Sequence, residues 1–244
     1  MIRLIAALLF VVVFLLVSLI LIPLGYLIGV FSMPARDRYA QAMISWAFGV
    51  VRFIVGAHVT VLGKDRVPRD EAVLFVANHR SIFDVVLLYA EMFRPTAIVS
   101  KKEIKKVPIL SWWMVLMHCR FMDRDDMRQS LQVILESIEE AKNGISIMIF
   151  PEGTRSKGES ELDMNPFKEG SFKISTKSGI KTIPVAIHGT RELLERQFPR
   201  IRSGEVTISF GSPIDPKEMD KEGLKHIGEI CQRQIKEMLQ KGSS

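Results

Sequence analysis

The sequence predicts an α/β fold with a mixed, largely parallel sheet that is flanked by helices and preceded by a hydrophobic two-helix membrane anchor. Short apolar segments alternate with segments of helical periodicity, which is typical of strands that pair in parallel. Two of the apolar segments end in distinctive polar motifs, and the N-terminal region is almost wholly apolar. We therefore expect membrane-anchoring helices at 1–57 and an α/β domain at 58–244.

The first expected element is the apolar segment Leu4–Val30, which contains no charged side chain. About 20 apolar residues cross a bilayer core as a helix, so this segment is long enough to span a membrane. No small-residue cleavage site follows it, which favours a retained anchor over a secretory signal. A second segment, Tyr39–Ala57, is interrupted by polar residues and predicts an amphipathic helix at the headgroups. Length alone leaves open whether the first helix spans the bilayer or lies in one leaflet.

The remaining elements follow from short apolar runs, which predict strands, and from apolar residues three or four positions apart, which predict helices. The helix at 125–142 ends at Asn143-Gly144, a common C-terminal stop. The predicted strands lie at 58–61, 73–77, 96–99, 145–150, 183–187 and 206–210, with an extended piece at 121–124. The other predicted helices begin near Asp84 and lie at 101–117, with an interruption near Pro108, at 170–178 and at 217–240.

The net charge of +6 is compatible with nucleic acid or anionic lipid as a partner. Four lysines between 101 and 106 recur at helical spacing and would form one basic face. Beside a membrane anchor, such a face suits acidic headgroups, although it also fits an ordinary solvated surface. No nucleic-acid motif accompanies it, so we expect no nucleic-acid partner. Arginines flank the far end of the first apolar segment, which favours a cytoplasmic domain.

The first polar motif is 78–84, Asn-His-Arg-Ser-Ile-Phe-Asp, directly behind the predicted strand at 73–77. This position puts His79 at a strand end and Asp84 in the first turn of the next helix. An imidazole held by a carboxylate through one ring nitrogen can remove a proton from a hydroxyl with the other. Alone, the pair equally fits a structural hydrogen bond.

The second polar motif, Phe150–Ser156, leaves another predicted strand in the same way. If the two strands are neighbours, both loops open on one crevice at the carboxyl edge of the sheet. Gly153 permits a tight turn, Thr154 can donate a hydrogen bond, and the planar guanidinium of Arg155 suits two oxygens of a phosphate. A turn with a surface arginine is the alternative reading of this motif alone.

Taken together, the two motifs and the apolar N-terminus resemble the glycerolipid acyltransferase family, and within it the members that act on lysophosphatidic acid. The resemblance spans roughly 61–210 and includes the segment Lys101–Arg124 and the later blocks Phe167–Gly170 and Ile183–Ile187. Two departures lie at 111–113, where the family usually has a small glycine-containing turn, and at 188–190, where a Ser-Gly-Thr is more usual. These departures affect the expected shape of the acyl pocket. Residues 112–114, 116 and 117 are candidates for lining that pocket, and plain core or interface packing is the alternative role for them.

What the resemblance implies is transfer of an acyl group from acyl-CoA or acyl carrier protein to the sn-2 hydroxyl of lysophosphatidic acid, which forms phosphatidic acid in phospholipid biosynthesis. His79 would be the general base and Asp84 would orient it. Arg155, with Lys101 and Arg124, would bind the substrate phosphate. The loop residues Glu152, Gly153 and Thr154 would bind substrate, with Glu152 either contacting a glycerol oxygen or bracing the loop. The implied location is the cytoplasmic face of a bacterial inner membrane, with membrane lipids as partners.

Several alternatives remain open from the sequence. The acceptor could be glycerol-3-phosphate or another lysophospholipid, and a His–Asp pair could also activate water in a membrane-tethered thioesterase. No Gly-x-Ser-x-Gly motif predicts a serine nucleophile, and Cys119 and Cys231 have no metal-ligand spacing. We therefore expect no cofactor and no metal, with the acyl donor as co-substrate. The sequence does not predict an oligomeric state.

Overall fold

The computed structural model describes residues 1–242 and confirms the predicted α/β class. Within these residues seven strands form one mixed sheet in the order β1-β7-β6-β2-β5-β3-β4. Every neighbouring pair is parallel except β6–β7, which is antiparallel. The strands are β1 Ala57–Leu62, β2 Val73–Ala77, β3 Thr96–Lys101, β4 Arg120–Met122, β5 Ser146–Ile149, β6 Lys181–His188 and β7 Gly204–Phe210.

Helices cover both faces of the sheet, because the central strand β2 has apolar side chains on both faces. All five of its residues are buried, with Val73, Phe75 and Ala77 facing one apolar core and Leu74 and Val76 facing another. Helices α1–α4 border the first core and α5–α7 the second. The helices are α1 Ile2–Phe31, α2 Met33–Val55, α3 Ile82–Ala90, α4 Leu110–Leu116, α5 Met127–Lys142, α6 Lys173–Ser178 and α7 Ile227–Gly242.

The N-terminal segment folds as two consecutive helices. Among residues 1–242, α1 is the one helix long and apolar enough to cross a membrane by length and composition. Ser32 separates the two helices and caps α2, where its hydroxyl accepts a hydrogen bond from the Ala35 amide at 3.3 Å. The Trp113 indole of α4 donates to Ser18 of α1 at 2.8 Å, and this buried bond holds α1 against the domain. Most of the remaining surface of α1 is exposed and apolar.

The predicted helix at 101–117 is wrong before its expected interruption near Pro108, and α4 confirms a helix only after that point. Strand β3 continues through Lys101, a 3₁₀ turn occupies Lys102–Lys106, and α4 begins only at Leu110. Pro108 lacks the amide that a continuous helix would need, and the α region is disfavoured for the residue before it. The lysines therefore lie on a strand end and an exposed 3₁₀ turn instead of one α-helical face.

The predicted helix at 217–240 begins ten residues later than expected, at Ile227. The carboxylate of Asp220 accepts the Gly223 amide at 2.8 Å, and a 3₁₀ turn follows at Gly223–Lys225. Such side-chain bonds to the backbone compete with helix formation, which explains the late start. The short helix predicted at 170–178 is divided, because its first part is a 3₁₀ turn at Glu169–Phe172 that precedes α6.

A half-buried histidine, His118, links α2 to the helix layer on the other side of the sheet. His118 Nε2 lies 3.1 Å from Asp37 of α2, and its Nδ1 lies 2.9 Å from Glu140 of α5. The hydrogen bonds to Asp37 and Glu140 outweigh burial and raise the pKa of His118 from 6.5 to about 9. Since the folded pKa is the higher one, this stabilisation is complete below pH 6.5 and is lost as the pH rises through about 9.

We therefore expect the unfolding temperature of the detergent-solubilised protein to fall between pH 6.5 and about 9 in a His118-dependent way. The matched variant is His118→Asn, because His118 has a φ of 61° and asparagine tolerates this left-handed conformation. Thermal unfolding monitored by circular dichroism at several pH values measures the effect. An equal fall in the asparagine variant would show that other groups cause it.

Candidate active site

The two polar motifs meet at the carboxyl edge of the sheet, where the parallel strands end, as predicted. Strands β2 and β5 are parallel neighbours, with Val76 opposite Ile149, so their carboxyl ends lie side by side. The Ser156 amide donates to the His79 carbonyl at 2.8 Å, which joins the two loops directly. The sheet edge that carries His79 is therefore also the edge that carries Phe150–Ser156.

His79 and Asp84 form a close pair, with 2.9 Å between His79 Nδ1 and Asp84 Oδ2. Asp84 is fully buried, and the histidine side chain keeps 16% of its surface exposed. The His79 ring also packs on Phe150, with 4.4 Å between ring centroids. Since a carboxylate accepts from Nδ1–H, the neutral ring carries its lone pair on Nε2. That nitrogen makes no hydrogen bond within residues 1–242 and is available to a substrate.

Asp84 is itself held rigidly. Its Oδ2 accepts the amides of Arg80 at 2.6 Å and Ser81 at 2.7 Å, and its Oδ1 accepts the Thr190 hydroxyl at 2.5 Å. The bond to Ser81 is half of a capping box that starts α3, so the same residue begins the helix and orients the histidine.

Glu152 braces the two loops, which is the bracing alternative that the sequence left open. Its carboxylate is buried and accepts the His79 amide at 2.7 Å and the Asn165 amide at 2.8 Å. Burial raises the pKa of Glu152 above 4.5, and the two amide donors oppose that shift. Both carboxylate oxygens are occupied by backbone donors, so Glu152 supports the position of His79.

Arg155 stands at the open side of the site. Gly153 has a φ of 75°, which makes the turn that follows β5, and Thr154 and Arg155 are exposed. The guanidinium of Arg155 is 53% exposed and lies 3.2 Å from a carboxylate oxygen of Glu195. A cation that is exposed at the same sheet edge as His79 can bind an anionic group.

Lys101 and Arg124 lie on the same sheet edge but farther along it. Strand β3, which ends at Lys101, is the neighbour of β5, and β4, which precedes Arg124, is the neighbour of β3. No hydrogen bond or ion pair within residues 1–242 connects either side chain to His79 or Arg155. The structure therefore brings together His79, Asp84, Glu152 and Arg155, and leaves the two other cations at the edge without a direct contact to them.

Two site residues, Thr190 and Glu195, were given no role from the sequence. Thr190 lies in the segment 188–190, which departs from the usual family pattern, and Glu195 belongs to no motif. Each lies more than 100 residues from its partner on α3, with separations of 106 for Thr190–Asp84 and 113 for Glu195–Ile82. Only the placement of the segment after β6 beside α3 reveals their contacts.

The acyl-pocket candidates separate into two groups. Trp113, Met114, Leu116 and Met117 are buried in the core beneath α1. Trp112 is half-exposed and, with Pro23 and other residues of α1, lines an open apolar groove of about 350 Å³. Their role toward an acyl chain stays a prediction.

The chemistry of the described residues is that of a base and cations. No group of three or more His, Cys, Asp or Glu side chains in residues 1–242 could hold a metal ion. Cys119 and Cys231 are buried free thiols, and burial raises the pKa of Cys119 to about 12. Thiols in this state are poor nucleophiles.

Comparisons with known proteins show relatives that are named as acyltransferases. A 1-acyl-sn-glycerol-3-phosphate acyltransferase of Saccharomyces cerevisiae is 28% identical over 85% of this chain and 69% of its own length. A similarly named protein of Chlamydomonas reinhardtii is 32% identical over 66% of this chain, which spans 48% of that relative. The crystal structure of a 1-acyl-sn-glycerophosphate (LPA) acyltransferase from Thermotoga maritima superposes with a TM-score of 0.73 at 28% identity, covering 97% of each chain.

The sequence profile of the family described as Acyltransferase matches residues 58–188, more than half of the chain. This range begins at β1 and ends at the last residue of β6, so it contains His79, Asp84 and Arg155. The chain therefore belongs to the acyltransferase family.

Proposed function

We propose that this chain transfers a fatty acyl group from a thioester donor to the sn-2 hydroxyl of lysophosphatidic acid and so forms phosphatidic acid. One observation carries the proposal: a carboxylate-held histidine with a free Nε2 shares its sheet edge with an exposed arginine. The names of the relatives specify the same acceptor. Glycerol-3-phosphate or another lysophospholipid would use the same groups.

The proposed reaction begins when His79 Nε2 takes the proton of the acceptor hydroxyl, and Asp84 stabilises the imidazolium that forms. The hydroxyl oxygen attacks the thioester carbonyl carbon, the carbon–sulfur bond breaks, and the leaving thiolate recovers the proton from His79. The inert buried cysteines support direct attack without an acyl-enzyme.

The thioester oxyanion requires hydrogen-bond donors, and two segments near His79 carry backbone amides that could supply them. At the start of α3, the amides of Ser81 and Ile82 already donate to Asp84 and Glu195. In the turn after β5, the amides of Thr154 and Arg155 donate to no acceptor within residues 1–242. This difference favours the turn after β5 as the oxyanion site.

We also propose that the protein is bound to the cytoplasmic face of a bacterial inner membrane through α1, with α2 beside it. The support is the apolar length of α1 and its exposed apolar surface. The acyl donor is a soluble thioester, acyl-CoA or acyl carrier protein, and the lysolipid reaches the site from the membrane. Residues 58–244 would form the catalytic domain.

The decisive assay measures thiol release from acyl-CoA and from acyl-acyl carrier protein, each with and without lysophosphatidic acid, using the purified full chain. Release that requires the acceptor, with phosphatidic acid as product, supports the proposal. Release without acceptor would instead indicate a thioesterase, and absence of release would remove the catalytic proposal. Replacing lysophosphatidic acid with glycerol-3-phosphate or lysophosphatidylcholine identifies the acceptor.

Arg155→Ala is expected to raise KM for lysophosphatidic acid by about tenfold, because a charge-assisted contact to the phosphate contributes about 1.4 kcal/mol or more. KM for the acyl donor should change much less. Steady-state kinetics with each substrate varied in turn measures both values. A larger effect on the donor would reassign Arg155 to donor binding.

A further inference from the structure

The carboxylate of Glu195 lies between Arg155 and the start of α3. Its Oε2 accepts the Ser81 hydroxyl at 2.7 Å, and its Oε1 accepts the Ile82 amide at 2.8 Å. The same Oε1 lies 3.2 Å from Arg155 Nη1. The side chain of Glu195 is 19% exposed, against 53% for Arg155. Glu195 is therefore the less mobile member of the ion pair.

Two features argue that this carboxylate stays in place when substrate binds. Its short contacts go to Ser81 and Ile82, which are fixed by the capping box of α3, and the contact to Arg155 is the longest of the three. The positive end of the α3 dipole also favours a carboxylate at this position. Glu195 is thus bound to the helix independently of Arg155.

The ion pair leaves part of Arg155 available. One terminal nitrogen contacts Glu195, and Nε and Nη2 of Arg155 make no hydrogen bond within residues 1–242. These two nitrogens form one side of the guanidinium, which can contact two phosphate oxygens together. Without a partner, an exposed arginine loses side-chain entropy when a ligand immobilises it. Because the Glu195 carboxylate already restrains Nη1 of Arg155, less side-chain entropy is lost when the ligand binds.

We propose that Glu195 is a positioning residue, which holds Arg155 against α3 so that a phosphate is bound at a fixed distance from His79. This inference rests on the proposed function, since it takes the phosphate of the acyl acceptor as the ligand of Arg155. Helix α3 also carries Asp84, which orients His79. The two halves of the site, base and phosphate cation, are therefore aligned through the first turn of one helix.

The test is the equilibrium binding of lysophosphatidic acid, without acyl donor, to the full chain in detergent micelles. Glu195→Ala is expected to raise Kd by about fivefold, the upper range for a partly exposed ion pair. In an Arg155→Ala background the same substitution should change Kd by less than about twofold, because its effect passes through Arg155. Glu192→Ala is the matched control, since Glu192 pairs with Arg196 on the exposed side of the same segment.

Glu195→Gln separates positioning from folding, because an amide oxygen still accepts the Ile82 amide while the charge beside Arg155 is lost. We expect wild-type thermal stability and a Kd between those of wild type and Glu195→Ala. An equal effect of Glu195→Ala with and without Arg155, a lower Kd, or no measurable binding by the wild type would overturn the proposal. If lysophosphatidic acid binds as expected but no acyl transfer occurs, the proposed function fails while the positioning role stands.

Discussion

Replacing His79 with alanine is expected to reduce acceptor-dependent thiol release by about a thousandfold, within the range attributed to a general base. The reason is the geometry of the imidazole, which has one nitrogen bound to buried Asp84 and the other free at the sheet edge. Alanine leaves no group there to take the hydroxyl proton. Initial rates of thiol release with saturating acyl donor and lysophosphatidic acid measure the loss.

His188→Ala is the matched control for this variant. His188 ends β6, the strand beside β2, and pairs with Glu161 instead of Asp84. Its removal should leave turnover within a few-fold of wild type. Both variants should retain membrane association, because neither residue belongs to α1 or α2. If His79→Ala kept turnover within about tenfold, or roughly 1.4 kcal/mol of barrier, the assignment of His79 as base would be wrong.

The central part of the fold was predictable because local sequence and tertiary structure agree there. Strand β2 was predicted at 73–77 and is found at Val73–Ala77, since five consecutive apolar residues suit a strand buried on both faces. The meeting of the two polar motifs was conditional on β2 and β5 being neighbours. That pairing depends on the order of strands across the sheet, which local patterns do not determine.

The errors lie where backbone chemistry overrides side-chain periodicity. The lysines at 101–106 have helical spacing, yet they lie on a strand end and a 3₁₀ turn. Beyond the expected interruption at Pro108, α4 is only seven residues long. The supporting residues Thr190 and Glu195 were missed for another reason. Their local sequence contains no signal, and their importance comes from contacts that the chain makes only after β6 has paired beside β2.

The second large effect is expected for Asp84→Asn, which should lower turnover by about a hundredfold, equivalent to about 2.7 kcal/mol of barrier. An asparagine oxygen at the Oδ2 position can still accept from His79, Arg80 and Ser81. The amide nitrogen can donate to Thr190, because a hydroxyl can rotate and act as acceptor. The orientation of the histidine is therefore kept, and the lost quantity is the negative charge that stabilises the imidazolium.

Asp84→Ala provides the comparison that separates charge from structure. Alanine leaves the buried amides of Arg80 and Ser81 without an acceptor, and each such group costs about 1–3 kcal/mol of folding free energy. We therefore expect a clear fall in unfolding temperature for Asp84→Ala and a much smaller one for Asp84→Asn. Thermal unfolding and turnover measured on the same preparations distinguish the two effects. If Asp84→Asn were as active as wild type, Asp84 would act only by capping α3 and orienting His79, and its negative charge would have no part in proton transfer.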